Sequence, residues 1–355
     1  MNSLKKYRFV IVADDFSRLM GGIENHALIL GETLRNLGYE VKRSSFELFD
    51  SSAVSDGDIV MFDGINRKLL AKLMLDRTSK RYRKVVFTHG SFYDLQHSRE
   101  LRKFGYRMGL MGNAKKAFDS VLMSRALKNM DAICTLSTIE ERELLNAFHL
   151  DPTKVFSSKI LIEQGTSRNG KLKCVKNPYE SYQPYICAIS RVHKRKNFMS
   201  ALKAIEGMQV NFLLAGHPSN DLSNLLSYSA SHHISNFHYL GKIEKSVKSS
   251  LLNGAIATII PSFVEGVPAL ALESLVLGVP VIMTEFSYLP TENLADWGII
   301  RCLPTADSIK DGIMRVTERN FEARRIVLES NESVVLEILR KLTDIRVLDS
   351  NHLEV

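Results

Sequence analysis

The chain has 355 residues, 45% of them hydrophobic, and a formal net charge of +8. That length is comfortable for two hydrophobic cores, and the composition is that of a folded globular protein, which excludes a disordered or fibrous chain. No run reaches the ~18–20 apolar residues of a membrane-crossing helix, and the apolar stretch at residues 9–13 is too short for a signal peptide.

The four cysteines, Cys134, Cys174, Cys187 and Cys302, contain no C-x-x-C pair. They read as reduced thiols of a cytosolic protein, not as disulfides or zinc ligands. Positive charge is concentrated in residues 67–128, which hold 16 basic and 4 acidic side chains. Across residues 92–130 these cations are mixed with Phe, Tyr, Met and Leu. Three readings stand: a solvated helical face, a helix facing an acceptor, or a segment resting on an anionic membrane surface. Nucleic acid is not expected as a partner, because no recognition module accompanies the charge.

From the amino end, residues 8–13 read as a strand. Gly21-Gly22 follows, and then a helix over 23–36 with Ile23, Ala27, Leu30, Leu34 and Leu37 on one face. Glycine between a strand and a helix lets the backbone approach a ligand, and the helix start turns N–H groups toward anions. It serves a tight turn equally well, and it is not the dinucleotide fingerprint. Further strands are expected at 41–46, 59–62, 84–88, 132–136 and 159–163, the pattern of a doubly wound parallel sheet. Asp56-Gly57-Asp58 is formally a D-x-D triplet but reads as a solvated turn. His89 ends the strand at 84–88 and is followed by Gly90, so it either lines the crevice at the strand's carboxyl end or is a satisfied structural histidine. Ser137, with Glu140 and Glu141 close behind it, reads as the cap of a helix. Residues 163–184 are polar and rich in Gly and Pro, as a linker would be.

The alternation then restarts, with strands expected at 185–190, 210–215, 237–240, 255–262, 281–285 and 299–303. Arg191 and Lys194-Arg195-Lys196 place four cations after the first of these, a charge that suits a pyrophosphate or a solvated loop. Gly216 and Gly241 close two strand ends. Residues 255–285 carry the densest information, reading as strand, loop, helix, turn and strand. Glu265 lies at the carboxyl end of the strand and Glu273 about one turn into the helix, so both can face the crevice where open α/β sheets bind ligands. A last amphipathic helix is expected over 321–342.

The pattern E-G-(x)6-E-S-(x)3-G-V-P-V-I, which runs from Glu265, resembles the Glu-x7-Glu signature of retaining glycosyltransferases of glycosyltransferase family 4. The stretch GGIENHALILGETLRNLGYEV resembles that family's first glycine loop and helix, and Arg191 and Lys196 match the spacing of its diphosphate loop. The chain has Gln164-Gly165-Thr166-Ser167 where the family usually shows Asn-Gly-(Val/Ile)-Asp. The resemblance implies the GT-B fold, two Rossmann-like domains facing across a cleft, divided as residues 1–165 on the acceptor side, a linker at 166–184, a nucleotide-sugar domain at 185–320 and a helix at 321–355 crossing back to the first domain.

It further implies a retaining, metal-independent glycosyltransferase with no cofactor and a nucleotide-diphosphate sugar, UDP or GDP, as co-substrate. In that reading Arg191 and Lys196 hold the diphosphate, Glu273 the ribose, and Glu265 the sugar. Main-chain groups of Gly216, Gly241, Gly266 and Val267 serve the donor, His89 touches the sugar, and Gly21 and Gly22 lie near the phosphates or the acceptor. The expected acceptor is a glycan, free or lipid-linked, in bacterial O-antigen, capsule or lipopolysaccharide core assembly, made by a cytoplasmic enzyme that is peripheral to the inner face of the membrane. A soluble GT-B synthase, a nucleotide-sugar epimerase and a non-catalytic sugar-nucleotide scaffold are the alternatives.

Overall fold

The computed structural model describes residues 7–14, 22–65, 69, 72–73, 82–90, 98–106, 111–162, 177–287, 289, 297–318, 321, 323 and 325–348. The chain divides into two compact units. One comprises Met1–Ser98, Arg107–Glu163 and Glu329–Val355, and the other Arg99–Tyr106 and Gln164–Leu328. A short piece of the first half, Arg99–Tyr106, groups with the second unit, and Glu329–Val355 groups with the first. Residues 166–176 of the expected linker lie outside the described residues, as do Gly21 and Cys174.

The first unit is built on six parallel strands, β1 (Arg8–Ala13), β2 (Glu40–Ser45), β3 (Ile59–Asp63), β4 (Arg83–Phe87), β5 (Ala132–Thr135) and β6 (Val155–Ser157), in the order β2-β1-β3-β4-β5-β6. β1, β3 and β5 are buried almost throughout, as strands covered on both faces must be. Helix α1 (Gly22–Asn36) buries Ala27, Leu30 and Leu34 against them. The other described helices of this unit's segments are α3 (Met111–Lys128), α4 (Thr138–Phe148) and α10 (Asn331–Asp344); α2 (Ser98–Leu101) starts the excursion into the other unit. Val334, Val335, Ile338, Leu339 and Leu342 of α10 are buried in the same core as Leu30 and Leu34.

Three sequence expectations change here. The sixth strand is at Val155–Ser157, where it pairs with Ile133–Thr135, and not at 159–163. Leu161 and Ile162 are buried without a ladder. Asp58 is no solvated turn residue. It is 4% exposed, and its carboxylate pairs with Arg8 on β1 and accepts the Ser55 N–H at 2.8 Å. The last helix begins only at Asn331, where the Ser330 hydroxyl accepts the Ser333 N–H at 3.1 Å. The residues before 329 belong to the second unit, within which Ile326 N–H donates to the Leu275 carbonyl at 3.2 Å.

The second unit repeats the plan. Strands β7 (Tyr185–Ile189), β8 (Asn211–Ala215), β9 (Phe237–Gly241), β10 (Ala257–Ile260), β11 (Val281–Thr284) and β12 (Ile299–Cys302) run parallel in the order β12-β11-β10-β7-β8-β9. Its helices are α5 (Phe198–Ala204), α6 (Asn220–Ser231), α7 (Lys245–Asn253), α8 (Ala269–Val276) and α9 (Ala306–Glu318). Cys187 and Cys302 are free and buried in this sheet, as Cys134 is in the first. Each sheet has one place where successive connections leave in opposite directions, between β1 and β3 in the first and between β7 and β10 in the second. A ligand crevice opens at the carboxyl ends of such strand pairs.

Candidate active site

In the second unit the loops after β7 and β10 bring together residues about 70 apart in sequence. Lys196 Nζ donates to Glu265 Oε1 at 2.5 Å, and the Ser262 hydroxyl donates to the same oxygen at 2.6 Å. Burial raises the Glu265 pKa, but the charges of Lys196 and Arg195 outweigh it and bring the carboxyl down to about 2. Arg195 also ties the loops through its backbone, accepting the Phe263 N–H at 2.9 Å. Asn197 has φ +54° and is buried, and its side-chain amide donates to the Pro261 and Pro304 carbonyls at 3.0 and 3.1 Å. Asparagine tolerates this left-handed backbone, so it can end the basic loop and stitch it to two strand ends.

Glu265 is fixed from the other side as well. Its N–H donates to the Phe286 carbonyl at 3.0 Å. The excursion at Arg99–Tyr106 packs Phe104 on Phe286 and Tyr106 on Phe263, with ring centroids 5.8 and 4.9 Å apart. Glu273, on α8, is paired with Lys248 of α7, whose Nζ lies 2.7 Å from Oε1. Gly266 and Val267 lie in the half-buried turn between Glu265 and α8. Arg191 is exposed beyond the end of β7. Gly216 has φ +142°, and a Cβ there would sit 1.9 Å from the Ser190 carbonyl oxygen, so this glycine lets two strand ends touch. Gly241 has φ +69° with open space around it.

In the first unit the crevice end holds a different cluster. Asp63 closes β3 and is fully buried. Its carboxylate accepts from His26 Nδ1 on α1, at 2.9 Å to Oδ2, and from His89 Nε2 after β4. Burial raises the Asp63 pKa, and the two imidazoles more than reverse the effect, holding it well below the usual range. Burial also lowers both histidines. For His89 the Asp63 charge and hydrogen bond win and the pKa is raised, whereas for His26 burial prevails. His89 has φ +50° and Gly90 φ +67°. This bend is held by buried Glu140, whose Oε1 accepts Thr88 Oγ1 and Gly90 N–H, both at 2.5 Å, and whose Oε2 accepts Leu136 N–H at 2.9 Å. Ser137 caps α4, accepting the Glu140 N–H at 3.1 Å. Gly22 begins α1 with nothing within 4 Å of where a Cβ would be.

The structure thus joins Lys196 to Glu265, and gives Glu273 and His89 partners the sequence reading did not foresee: Lys248 and Asp63. Arg195 and Glu140 were read as a surplus cation and a helix-start charge. Asp63 alone carried a signal, an acid closing the apolar run Ile59–Phe62 at a strand's carboxyl end.

Residues 175–332 match the model of the family described as glycosyl transferases group 1. Among curated proteins none matches the chain in sequence. Similar solved structures include a sucrose-phosphate synthase from Thermosynechococcus elongatus, 12% identical, covering 96% of each chain at a TM-score of 0.70. Anabaena HepE in complex with UDP and glucose is 12% identical, covers 96% of each chain and has a TM-score of 0.65. WaaG, a glycosyltransferase involved in lipopolysaccharide biosynthesis, is 14% identical, covering 88% of this chain and 91% of its own at a TM-score of 0.61. Identities this low speak for the fold, which is that of GT-B glycosyltransferases. Residues 175–332 are thus similar to a glycosyl transferases group 1 domain, and that match on this fold supports a glycosyltransferase enzyme.

Proposed function

We propose that the protein is a retaining, metal-independent glycosyltransferase that moves a sugar from a nucleotide-diphosphate donor, UDP or GDP, to a glycan acceptor of a bacterial envelope polysaccharide. The observation that carries this reading is the buried Glu265 carboxylate held by Lys196 and flanked by Arg195 inside the matched domain. The chemistry requires stabilising a departing diphosphate beside an oxocarbenium-like sugar. Lys196 and Arg191 supply fixed positive charge for the phosphates, and loss of either costs about 2–4 kcal/mol of transition-state stabilisation. Glu265 stays ionised, orients the sugar hydroxyls and favours the developing positive charge. Glu273 accepts from the ribose hydroxyls. Main-chain groups at Gly216, Gly241, Gly266 and Val267 complete the donor site. On the first unit His89 contacts the sugar, and Gly22 admits the phosphates or the acceptor. The leaving phosphate oxygen takes the acceptor's proton as the new glycosidic bond forms on the face the diphosphate leaves.

HepE has been solved with UDP-glucose, which supports a UDP-linked donor for this fold. The involvement of WaaG in lipopolysaccharide biosynthesis and the basic residues 67–128 support a lipid-linked acceptor at an anionic membrane surface. Among the described residues no helix is long and apolar enough to cross a membrane. A soluble sugar acceptor is the second reading, favoured by the likeness to a sucrose-phosphate synthase. A panel of UDP-, GDP-, ADP- and TDP-sugars, read by thermal stabilisation and nucleotide release, tests the donor site. One donor should stabilise the wild type and not Lys196→Ala or Glu273→Ala; no stabilisation by any nucleotide refutes the donor reading. Flotation with anionic vesicles separates the two acceptors.

A further inference from the structure

We infer that Asp63 is a positioning residue for His89, whose imidazole it holds in one orientation as the charged, doubly protonated ring while His26 stays neutral on the same carboxylate. The inference rests on the reading above only for what His89 touches; the pairing stands on its own geometry.

Asp63, His26 and His89 come from β3, from α1 and from the bend after β4. The side chains of Asp63 and His26 are fully buried and that of His89 is 6% exposed. One carboxylate carries one negative charge, so only one of the two imidazoles can be compensated as a cation inside this cluster. His26 donates through Nδ1, and its Nε2 is buried with no hydrogen-bond partner. A second proton there would be a buried, unanswered charge, with the His89 ring centroid 4.8 Å away. His26 is therefore the neutral Nδ1–H tautomer. His89 sits at the edge of the cluster, and Glu140 and Glu24 add negative potential to that of Asp63. With Nε2 committed to Asp63, its Nδ1 makes no hydrogen bond to the described residues. Nδ1–H is thus the donor that His89 presents outward, and Asp63 and the bend fixed by Glu140 determine its direction.

The groups that face His89 are Asp63 on β3, His26 and Glu24 on α1, and Glu140 on α4. If Asp63 supplies the compensating charge, its removal should bring the His89 titration down by about one to three pH units, the usual effect of an opposite charge at contact. The experiment is an NMR titration of the full-length protein labelled with 15N-histidine, with His26→Gln and His89→Gln for assignment. His89 should titrate above an ordinary histidine, and His26 should remain a neutral Nδ1–H ring below the pH at which an ordinary histidine takes up its proton. Asp63→Asn should lower the His89 midpoint, and Asp63→Glu should restore part of it. Transfer rates of the same variants should follow, with the alkaline limb of kcat moving to lower pH in Asp63→Asn while donor KM changes by less than about twofold.

A wild-type His89 that titrates below His26, or two rings that charge together, overturns the inference even if Asp63→Asn cannot be folded. Zinc sulfate that shifts both rings at one equivalent also overturns it and identifies a metal centre. A wild type that transfers no sugar refutes the proposed function, while the titration still decides the pairing.

Discussion

Lys196 and Glu265 face each other at 2.5 Å from loops that leave two neighbouring strands on opposite sides of the point where the second sheet reverses its winding. Neither charge is at ease in this position without the other. Removing one partner of such a pair costs about 3–5 kcal/mol, because the survivor is left uncompensated. Glu265→Gln should therefore lower stability in urea by more than Lys196→Met, since Arg195 still compensates Glu265 when Lys196 is lost, whereas loss of Glu265 leaves both cations without their carboxylate. The double variant should be more stable than the sum of the single losses, a coupling that a double-mutant cycle reads directly.

The same pair should leave a mark on acid stability. The Glu265 pKa falls from 4.5 to about 2 on folding. A carboxyl depressed in this way contributes stability that is complete above its unfolded value and is lost as pH falls through its folded one. The difference in unfolding free energy between wild type and Glu265→Gln should be constant above pH 4.5 and shrink between there and about 2. A difference that persists unchanged to the lowest pH would contradict the assignment.

The histidine cluster has limits on both sides. His89, with its pKa raised, contributes stability present below 6.5 and lost as pH rises through its folded value; His26, lowered, loses its contribution as pH falls below 6.5. Thermal unfolding should place the cluster's largest contribution near pH 6.5. His89→Gln should flatten the alkaline side and leave the acid side in place.

Glu140 answers three donors, Thr88 Oγ1 and the N–H groups of Gly90 and Leu136. Glu140→Ala leaves these buried donors without a partner, at about 1–3 kcal/mol each. The His89 bend should relax in this variant, so turnover should fall as well as melting temperature. Hydrogen exchange at Gly90 gives the local readout.

Gly216 and Gly241 both have positive φ, but only Gly216 meets backbone when a Cβ is added. Gly241→Ala should cost about 1–2 kcal/mol, the strain of a left-handed alanine. Gly216→Ala should cost far more, because the Ser190 carbonyl has to move and β7 and β8 with it. Denaturant midpoints of the two variants check the contrast.

The order of strands and helices could be read from alternating apolar runs and their glycine stops, and Glu265, Glu273 and Lys196 from a spacing that survives on a short loop–helix segment. The misplaced sixth strand shows the limit of that signal. Leu161 and Ile162 are as buried as strand residues, and burial alone does not reveal whether a ladder partner is present. Asp63 was harder to see because its partners lie 37 and 26 residues away on separate elements. Only the sheet order places them side by side. Lys248 was missed for a related reason, since an i-to-i relation across α7 and α8 leaves no periodic trace.

The first sheet shares its core with α10, whose Val335, Leu339 and Leu342 are covered as fully as any strand residue. A ribosome that has finished residue 328 has made every strand of both sheets but not the helix that covers Leu30 and Leu34. During synthesis the second unit can therefore close first, and the first sheet stays without this cover until residues 331–344 have been made.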